Sequence, residues 1–418
     1  MTLAAPNSTA SDEAVIGAGK AARLQRLDGI LGPPLCVILS AFRFLIAPIP
    51  SDQLPRSIAF IKLGEQGSTV LAIPAIEEAI TRVGHENTYF VVFSENRKIL
   101  DVLGMIPAEN VLEIKTSSIP AFLKSVLAVS LHLRRIGLDA AIDLDFFARS
   151  SAMLTWMSGA KWRVGLHSYF GEGPFRGWLM THRPRYNPHI HTRRLFYALV
   201  KALDQSPDLF PAWQDPGPLP PPRKLIIQDE ALTSIRSKLF GKLGGTELPS
   251  IILLNANCSD MIPLRRWASD RFIELARRIL KTHPDAAVVF TGAPVESEQA
   301  QLLAEEVGSD RCLSLAGKTN LPELFALYSI ARALVTNDSG PAHFASLTTI
   351  RIITLFGPET PSLFGPVSEG AISITAGLPC SPCVSAQNNR LSACKNNLCM
   401  QAISVDRVFG EVADILAS

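Results

Sequence analysis

Ala333-Leu-Val-Thr-Asn-Asp-Ser-Gly-Pro-Ala-His-Phe-Ala-Ser-Leu347 decides how this chain is read. The apolar run Ala333–Thr336 reads as a strand, and it breaks at Asn337, Asp338, Ser339 and Gly340. Pro341 suits the first position of a helix, where its missing N–H would have no partner anyway, and Ser339 is an N-cap candidate. Gly340 keeps the turn free of a side chain. Free N–H groups and the positive end of the helix dipole then face any anion that docks there. His343 falls in the first helical turn. This strand–turn–helix predicts a phosphate seat at the carboxyl end of a parallel strand, where open α/β sheets bind ligands.

Outward from this stretch, short β-branched runs alternate with amphipathic ones. Ser57–Leu63, Thr88–Phe93, Val111–Ile114, Ala140–Leu144 and Arg163–Leu166 read as strands, with helices over Thr69–Arg82, Asn96–Leu103, Pro120–Arg135 and Arg149–Met157 between them. A second series of strands runs Ile251–Asn255, Ala287–Phe290, Leu313–Leu315, Ala333–Thr336 and Ile352–Phe356, with helices over Asp270–Lys281, Val295–Val307 and Leu321–Ile330. Such alternation means parallel sheets covered by helices. Five prolines within Gln214–Lys224 stop both helix and strand. The expected layout is therefore a first Rossmann-like domain over 51–213, a stiff linker over 214–224, a second such domain over 225–403 and a closing helix over 404–418. Two doubly wound α/β domains would face a cleft.

The 418 residues leave room for both cores, and a net charge of +2 without a long basic run argues against a nucleic-acid partner. Seven cysteines, four of them within 380–399, do not form the spread framework of a small secreted domain and favour a reducing compartment. Residues 1–50 form an N-terminal extension, flexible at first, then apolar or amphipathic. Lys20, Arg23 and Arg26 precede the apolar run Ile30–Pro50, which Pro33, Pro34, Arg43 and Pro48 interrupt. A signal peptide and a spanning helix both fit poorly. A helix lying in the membrane interface fits best, the other reading being a helix packed on the first domain.

Further candidates sit where strands end. After Ile251–Asn255 come Asn257 and Ser259, then Arg265 and Arg266, a pair able to clamp a diphosphate or simply to begin a solvated helix. Glu296 follows Ala287–Phe290, as a ribose contact or as a favourable charge at a helix start. Thr360 lies in the turn-rich stretch Leu355–Pro366. Asp143 and Asp145 end the fourth strand and could meet a substrate, act as a base or cap the next helix. His189 and His191, with Arg193 and Arg194, could bind an anion or open a solvated helix. Cys380, Cys383, Cys394 and Cys399 have the C-x₂-C…C-x₄-C spacing of a structural zinc site, with two disulfides or four free thiols as alternatives.

Over about residues 57–415 the pattern resembles glycosyltransferase family 9, the heptosyltransferase-like enzymes of lipopolysaccharide assembly. Asn337–His343, Arg265-Arg266-Trp267, Leu355-Phe356-Gly357-Pro358 and the late cysteines carry the resemblance. It implies a GT-B fold, a nucleotide-diphosphate sugar donor (ADP-heptose-like) in the second half and a lipid-linked saccharide acceptor in the first. It also implies inversion at the anomeric carbon, no cofactor in catalysis, and a cytoplasmic enzyme peripheral to the inner membrane. By the same resemblance Asp338, Ser339, Gly340 and His343 surround the donor's diphosphate and sugar, Arg265 takes the place of a basic phosphate contact, and Glu296 lies near the nucleoside.

One departure stands out. The family opens with a Gly-Asp pair ahead of a proline, whose aspartate serves as base. Here Gly67 keeps the spacing to Pro74, but Ser68 holds the aspartate position. A serine hydroxyl is no base at neutral pH without a partner, and Glu65 is the nearest carboxylate on that loop. Glu65 is thus the expected base, with capping of the next helix as the other role open to it. Two other functions remain open at this stage: a nucleotide-sugar epimerase of the same fold, and a sugar-nucleotide-binding protein without turnover.

Overall fold

The computed structural model describes residues 28–42, 54–167, 174–207, 215–244, 248–258 and 262–418. Ser259, Arg43 and the first 27 residues lie outside the described residues.

The apolar runs assemble into two parallel sheets. The first contains β1 (Ile58–Ile61), β2 (Thr88–Phe93), β3 (Val111–Ile114), β4 (Ala140–Asp143) and β5 (Trp162–Gly165), in the order β3-β2-β1-β4-β5. The second contains β6 (Ser250–Asn255), β7 (Ala286–Phe290), β8 (Cys312–Ser314), β9 (Ala333–Asn337), β10 (Arg351–Phe356) and β11 (Ile372–Thr375), in the order β11-β10-β9-β6-β7-β8. Helices cover both faces of each sheet, so β1, β7 and β9 bury every residue, as their unbroken apolar sequences require.

Strand order reverses between β1 and β4 and again between β6 and β9. At each reversal two loops leave the sheet in opposite directions and open a crevice. Register pairs Ile61 with Asp143 and Asn255 with Thr336, so the loops after β1 and β4, and those after β6 and β9, emerge side by side.

The expected helix over Thr69–Arg82 is two helices, Gln66–Leu71 and Ile73–Val83. Pro74 has no N–H to continue the first, and it sits within the opening turn of the second. Helices Thr192–Lys201 and Asp229–Leu243, and edge strand β11, were not anticipated from the sequence. The closing helix, Val405–Ala417, buries Val405, Val408, Val412 and Ile415 in the core of the second lobe.

One hydrophobic core runs through both lobes, joining Phe60, Phe90, Phe146 and Phe196 of the first with Phe325, Phe356 and Phe364 of the second. Phe146 and Phe364 meet edge to face at 6.1 Å. Helix Gln66–Leu71 rests on helix Gly340–Ala345 of the other lobe. A Cβ on Gly67 would lie 2.9 Å from both Gly340 Cα and His343 Cδ2, so only glycine permits this approach.

Residues 28–42 form a helix on the first lobe. Asp28 accepts the N–H groups of Arg149 and Ser150, while Cys36 packs with Ala152, Leu179 and Met180. Among the described residues no helix is long and apolar enough to cross a membrane.

Candidate functional site

The site forms where the two crevices face each other. On the first lobe, Lys62 ends β1 as a fully buried lysine, its Nζ donating to Gly64 O and Asp145 Oδ1, each at 2.9 Å. Asp145 Oδ2 also accepts the Leu63 N–H at 3.0 Å. This clamp fixes the loop that carries Glu65. Asp145 therefore does not cap the helix Arg149–Met157, whose first N–H groups are taken by Asp28 instead.

Glu65 has a φ of 65°, a left-handed conformation that costs energy outside glycine and clusters at functional sites. It holds the N-cap position of helix Gln66–Leu71, yet its side chain makes no cap hydrogen bond. The carboxylate instead accepts Ser68 Oγ–H at 3.2 Å, lies 3.7 Å from Lys62 Nζ, and ion-pairs with Arg390 of the second lobe. The Ser68 hydroxyl lies within reach of both the Glu65 carboxylate and, at 3.0 Å, the Glu65 carbonyl.

Asp143 is placed differently. It is fully buried, with Oδ2 accepting from Arg176 Nη1 at 2.6 Å and from Ser151 Oγ at 2.9 Å, and Oδ1 accepting the Asp145 N–H. Burial pushes its carboxyl up to about 7 despite the Arg176 guanidinium. Both oxygens are engaged inside the lobe, so the substrate-facing role considered for Asp143 is withdrawn; the residue anchors the β4 loop.

On the second lobe, Asn337 ties β9 to the β6 loop. Its Oδ1 accepts the Trp267 N–H at 2.9 Å, and its Nδ2 donates to Ala256 O and Asn257 O. That fixes Arg265, whose Nη1 stands 3.7 Å from Asp338 Oδ2 and whose Nε is buried with no hydrogen-bond partner. Arg266 turns back to Cys258 O, which leaves Arg265 as the arginine beside Asp338. Burial pushes the Asp338 carboxyl up to about 6, with Arg265 opposing.

Ser339 is the N-cap of helix Gly340–Ala345 by backbone position, but its hydroxyl turns to Asn337 O and makes no cap bond. His343 is buried beside Gly67, its Nδ1 without a partner. Burial, then the neighbouring His191 and Arg265, push it down to about 3, so the ring is neutral at physiological pH. Asn257 Nδ2 and Glu296 Oε2 converge on Gly292, each 3.0 Å from where a Cβ would stand, while Glu296 also accepts the Ala293 N–H at 2.7 Å. Thr360 caps the short helix Pro361–Phe364. His189 is exposed, and His191 spans the lobes by donating from Nε2 to Gly365 O at 2.9 Å.

Glu359, Arg390 and Tyr186 were not singled out from the sequence. Glu359 is buried with Oε2 unpartnered, and the Tyr186 hydroxyl is likewise unpartnered. Arg390 lies over the rings of Phe146 and Phe364 at 5.8 and 5.7 Å and reaches Glu359 at 4.0 Å. Glu359 had a signal of the Glu296 kind, a carboxylate just past a strand end. Arg390 had none, because its partners are remote in sequence.

The cysteines are not arranged as the structural zinc site that was one reading of their spacing. Among the described residues no three His, Cys, Asp or Glu side chains are arranged to hold a metal ion. Cys394 Sγ turns to Asn396 O at 3.1 Å, Cys383 Sγ meets Ser392 Oγ at 3.5 Å, Cys399 packs in the core against Gly357, and Cys380 is exposed. All four are free thiols.

Two doubly wound lobes with their strand ends opposed across a groove define a GT-B architecture. Residues 126–393 match glycosyltransferase family 9 (heptosyltransferase), and the chain belongs to that family. It is 38% identical over 115 residues to lipooligosaccharide heptosyltransferase 2 of Haemophilus influenzae, an alignment covering 27% of this chain and 33% of that relative. The chain thus spans about a third of the length of the curated relatives it first matches. Its fold is similar to that of E. coli ADP-heptose lipopolysaccharide heptosyltransferase II, with a TM-score of 0.65 and 19% identity over 86% of this chain and 98% of that one. It is also similar to a family 9 glycosyltransferase of Veillonella parvula, with a TM-score of 0.66 and 20% identity over 87% and 97%.

Proposed function

We propose that the protein is an inverting glycosyltransferase that moves a heptose or related sugar from a nucleotide-diphosphate donor to a lipid-linked saccharide of the lipopolysaccharide core or a similar envelope glycan. It would work on the cytoplasmic face of the inner membrane. Family membership supports the reaction class, and a neighbour of like fold is named for ADP-heptose. The observation that carries the reading is the meeting of Gly67 with Gly340 and His343, which brings the Glu65–Ser68 loop against the turn expected to seat phosphate.

In this reading the acceptor hydroxyl attacks the anomeric carbon as the bond to the diphosphate breaks. Glu65 takes the hydroxyl proton, a contribution of about 10²–10⁴-fold for a positioned base. Ser68 orients Glu65 by its hydrogen bond. Arg265, the backbone of Ser339 and Gly340, and neutral His343 stabilise the departing diphosphate by fixed charge and dipoles, a task that needs no metal. Asp338 holds Arg265, while Asn257 and Glu296, which meet at Gly292, would contact the nucleoside.

The test is incubation of purified protein with a panel of nucleotide sugars, with and without lipopolysaccharide-core acceptors, and mass spectrometry of the products. Sugar appearing on the acceptor only when both substrates are present is the expected result. An epimerised sugar nucleotide formed without acceptor, or tight binding with no product under any pairing, would overturn the reading.

A further inference from the structure

Helix Ile119–Arg135 carries a buried apolar side and, beside it, an exposed apolar stripe. Phe122, Val126, Val129 and Leu133 pack inward with Ile61, Val91 and Ala141 of the first sheet. Ile119, Leu123, Leu127 and Leu131 recur at a four-residue spacing and are 70, 60, 55 and 44% exposed, with Ile136 continuing the stripe. The stripe has no cover among the described residues.

The helix over 28–42 repeats the pattern. Cys36 and Ser40 are buried, whereas Ile30, Leu31, Leu35, Val37, Ile38 and Phe42 are exposed. Both helices adjoin helix Arg149–Met157. Asp28 binds its first N–H groups, and Arg134 Nε donates to Met157 O at 2.7 Å at its far end. The two uncovered stripes therefore belong to helices that flank opposite ends of one helix of the first lobe.

Charge identifies what covers them. Between Lys115 and Asp139 the sequence has no acid, while Lys124, His132, Arg134 and Arg135 are exposed on the stripe's flanks. Within 28–42 the only charge is Asp28, which is turned inward onto Arg149, and Lys20, Arg23, Arg26 and Arg43 surround that segment in sequence. Apolar side chains edged by bases alone match the interface of a bilayer with anionic headgroups, where the apolar face sinks to the acyl boundary. Neither helix is long and apolar enough to cross, so each would lie along the surface.

We propose that helix Ile119–Arg135 and the helix over 28–42 together form a docking face for an anionic lipid bilayer. The inference goes beyond the proposed transfer reaction, though that reaction gives the face a use, because a lipid-linked acceptor would be presented at the same surface.

The test is co-sedimentation of the full chain with phosphatidylcholine vesicles, with and without phosphatidylglycerol, alongside L123E/L127E. Wild type is expected to pellet with the anionic vesicles, less so at high salt, and the double variant to bind at least about tenfold more weakly, since each buried CH₂ adds about 0.8 kcal/mol. Circular dichroism verifies folding, and L127Q replaces the double variant if the glutamates unfold it. ADP titration of the same samples reads the donor site separately, so a failed membrane face and a failed transferase reading are told apart. A double variant that pellets like wild type overturns the proposal. So does a wild type that ignores vesicles but self-associates through the stripe.

Discussion

Glu65 and Arg390 form an ion pair across the groove although 325 residues separate them in sequence, with Arg390 Nη2 donating to Glu65 Oε2 at 3.2 Å. The guanidinium is itself held over Phe146 of one lobe and Phe364 of the other. Glu65 is therefore a carboxylate fixed at three points, by Arg390, by the Ser68 hydroxyl and by the Lys62 ammonium nearby. The base role proposed for Glu65 would rest on a carboxylate already fixed in place.

If Glu65 is the base, E65Q keeps the size and some of the hydrogen bonding but cannot take the proton. Its kcat is expected to fall by about 10²–10⁴, while donor affinity measured by calorimetry stays within about threefold, since a base acts on the acceptor hydroxyl and not on the donor. Unchanged turnover would return the residue to a purely structural role.

Gly67 offers a second test. A methyl group there would sit 2.9 Å from Gly340 Cα and His343 Cδ2, one of them backbone that cannot yield. G67A should force the lobes apart at the groove, weakening donor binding by about tenfold or more, since overpacking of this kind typically costs about 1–3 kcal/mol. Equilibrium titration with nucleotide diphosphate measures it. A variant that binds like wild type would mean the contact is incidental.

The alternation of strands and helices was legible because parallel strands buried on both faces read as unbroken apolar runs, as in Ile251–Leu254 and Ala333–Val335. Edge strand β11 was not, since Ile372-Ser-Ile-Thr is short and half exposed. The seat after β9 was legible for the same local reason, as turn chemistry is written in adjacent residues. Arg390 and Tyr186 were not, because what defines them is a meeting of lobes, whereas Glu359 carried a strand-end signal like that of Glu296. Asp143 misled for the converse reason: a strand-end carboxylate looks alike in sequence whether it faces a groove or a buried arginine.

Replacing Asp143 separates anchoring from chemistry. D143A leaves the Arg176 guanidinium buried without its counter-charge, and removing one partner of such a pair typically costs about 3–5 kcal/mol. D143N, which still fills the space and accepts a hydrogen bond, should cost less. In both, turnover per folded molecule should match wild type, as judged by normalising rates to the folded fraction. A loss of kcat in stably folded D143N would restore a catalytic role.

Asp338 and Glu359 are buried carboxyls of the site that their surroundings shift upward. Burial pushes Asp338 up to about 6 and Glu359 up to about 8, the latter helped by the Asp338 charge and opposed by Arg265. At pH 7 Asp338 is thus ionised and Glu359 protonated, two carboxyls driven apart by unequal surroundings. An acid whose folded pKa exceeds its ordinary value holds its proton more tightly in the fold. Stability from Glu359 is then lost as pH rises from the ordinary 4.5 through about 8. E359Q cannot ionise and escapes that loss. Its Tm should exceed that of wild type by roughly 2–4 °C or more at alkaline pH, the shift that about 1 kcal/mol gives in a domain of this size. The difference should shrink toward zero as pH falls to about 4.5. Thermal melts of both proteins across that range decide the point, and a difference that is constant with pH, or that grows on acidification, would show that Glu359 is not the group held protonated in the groove.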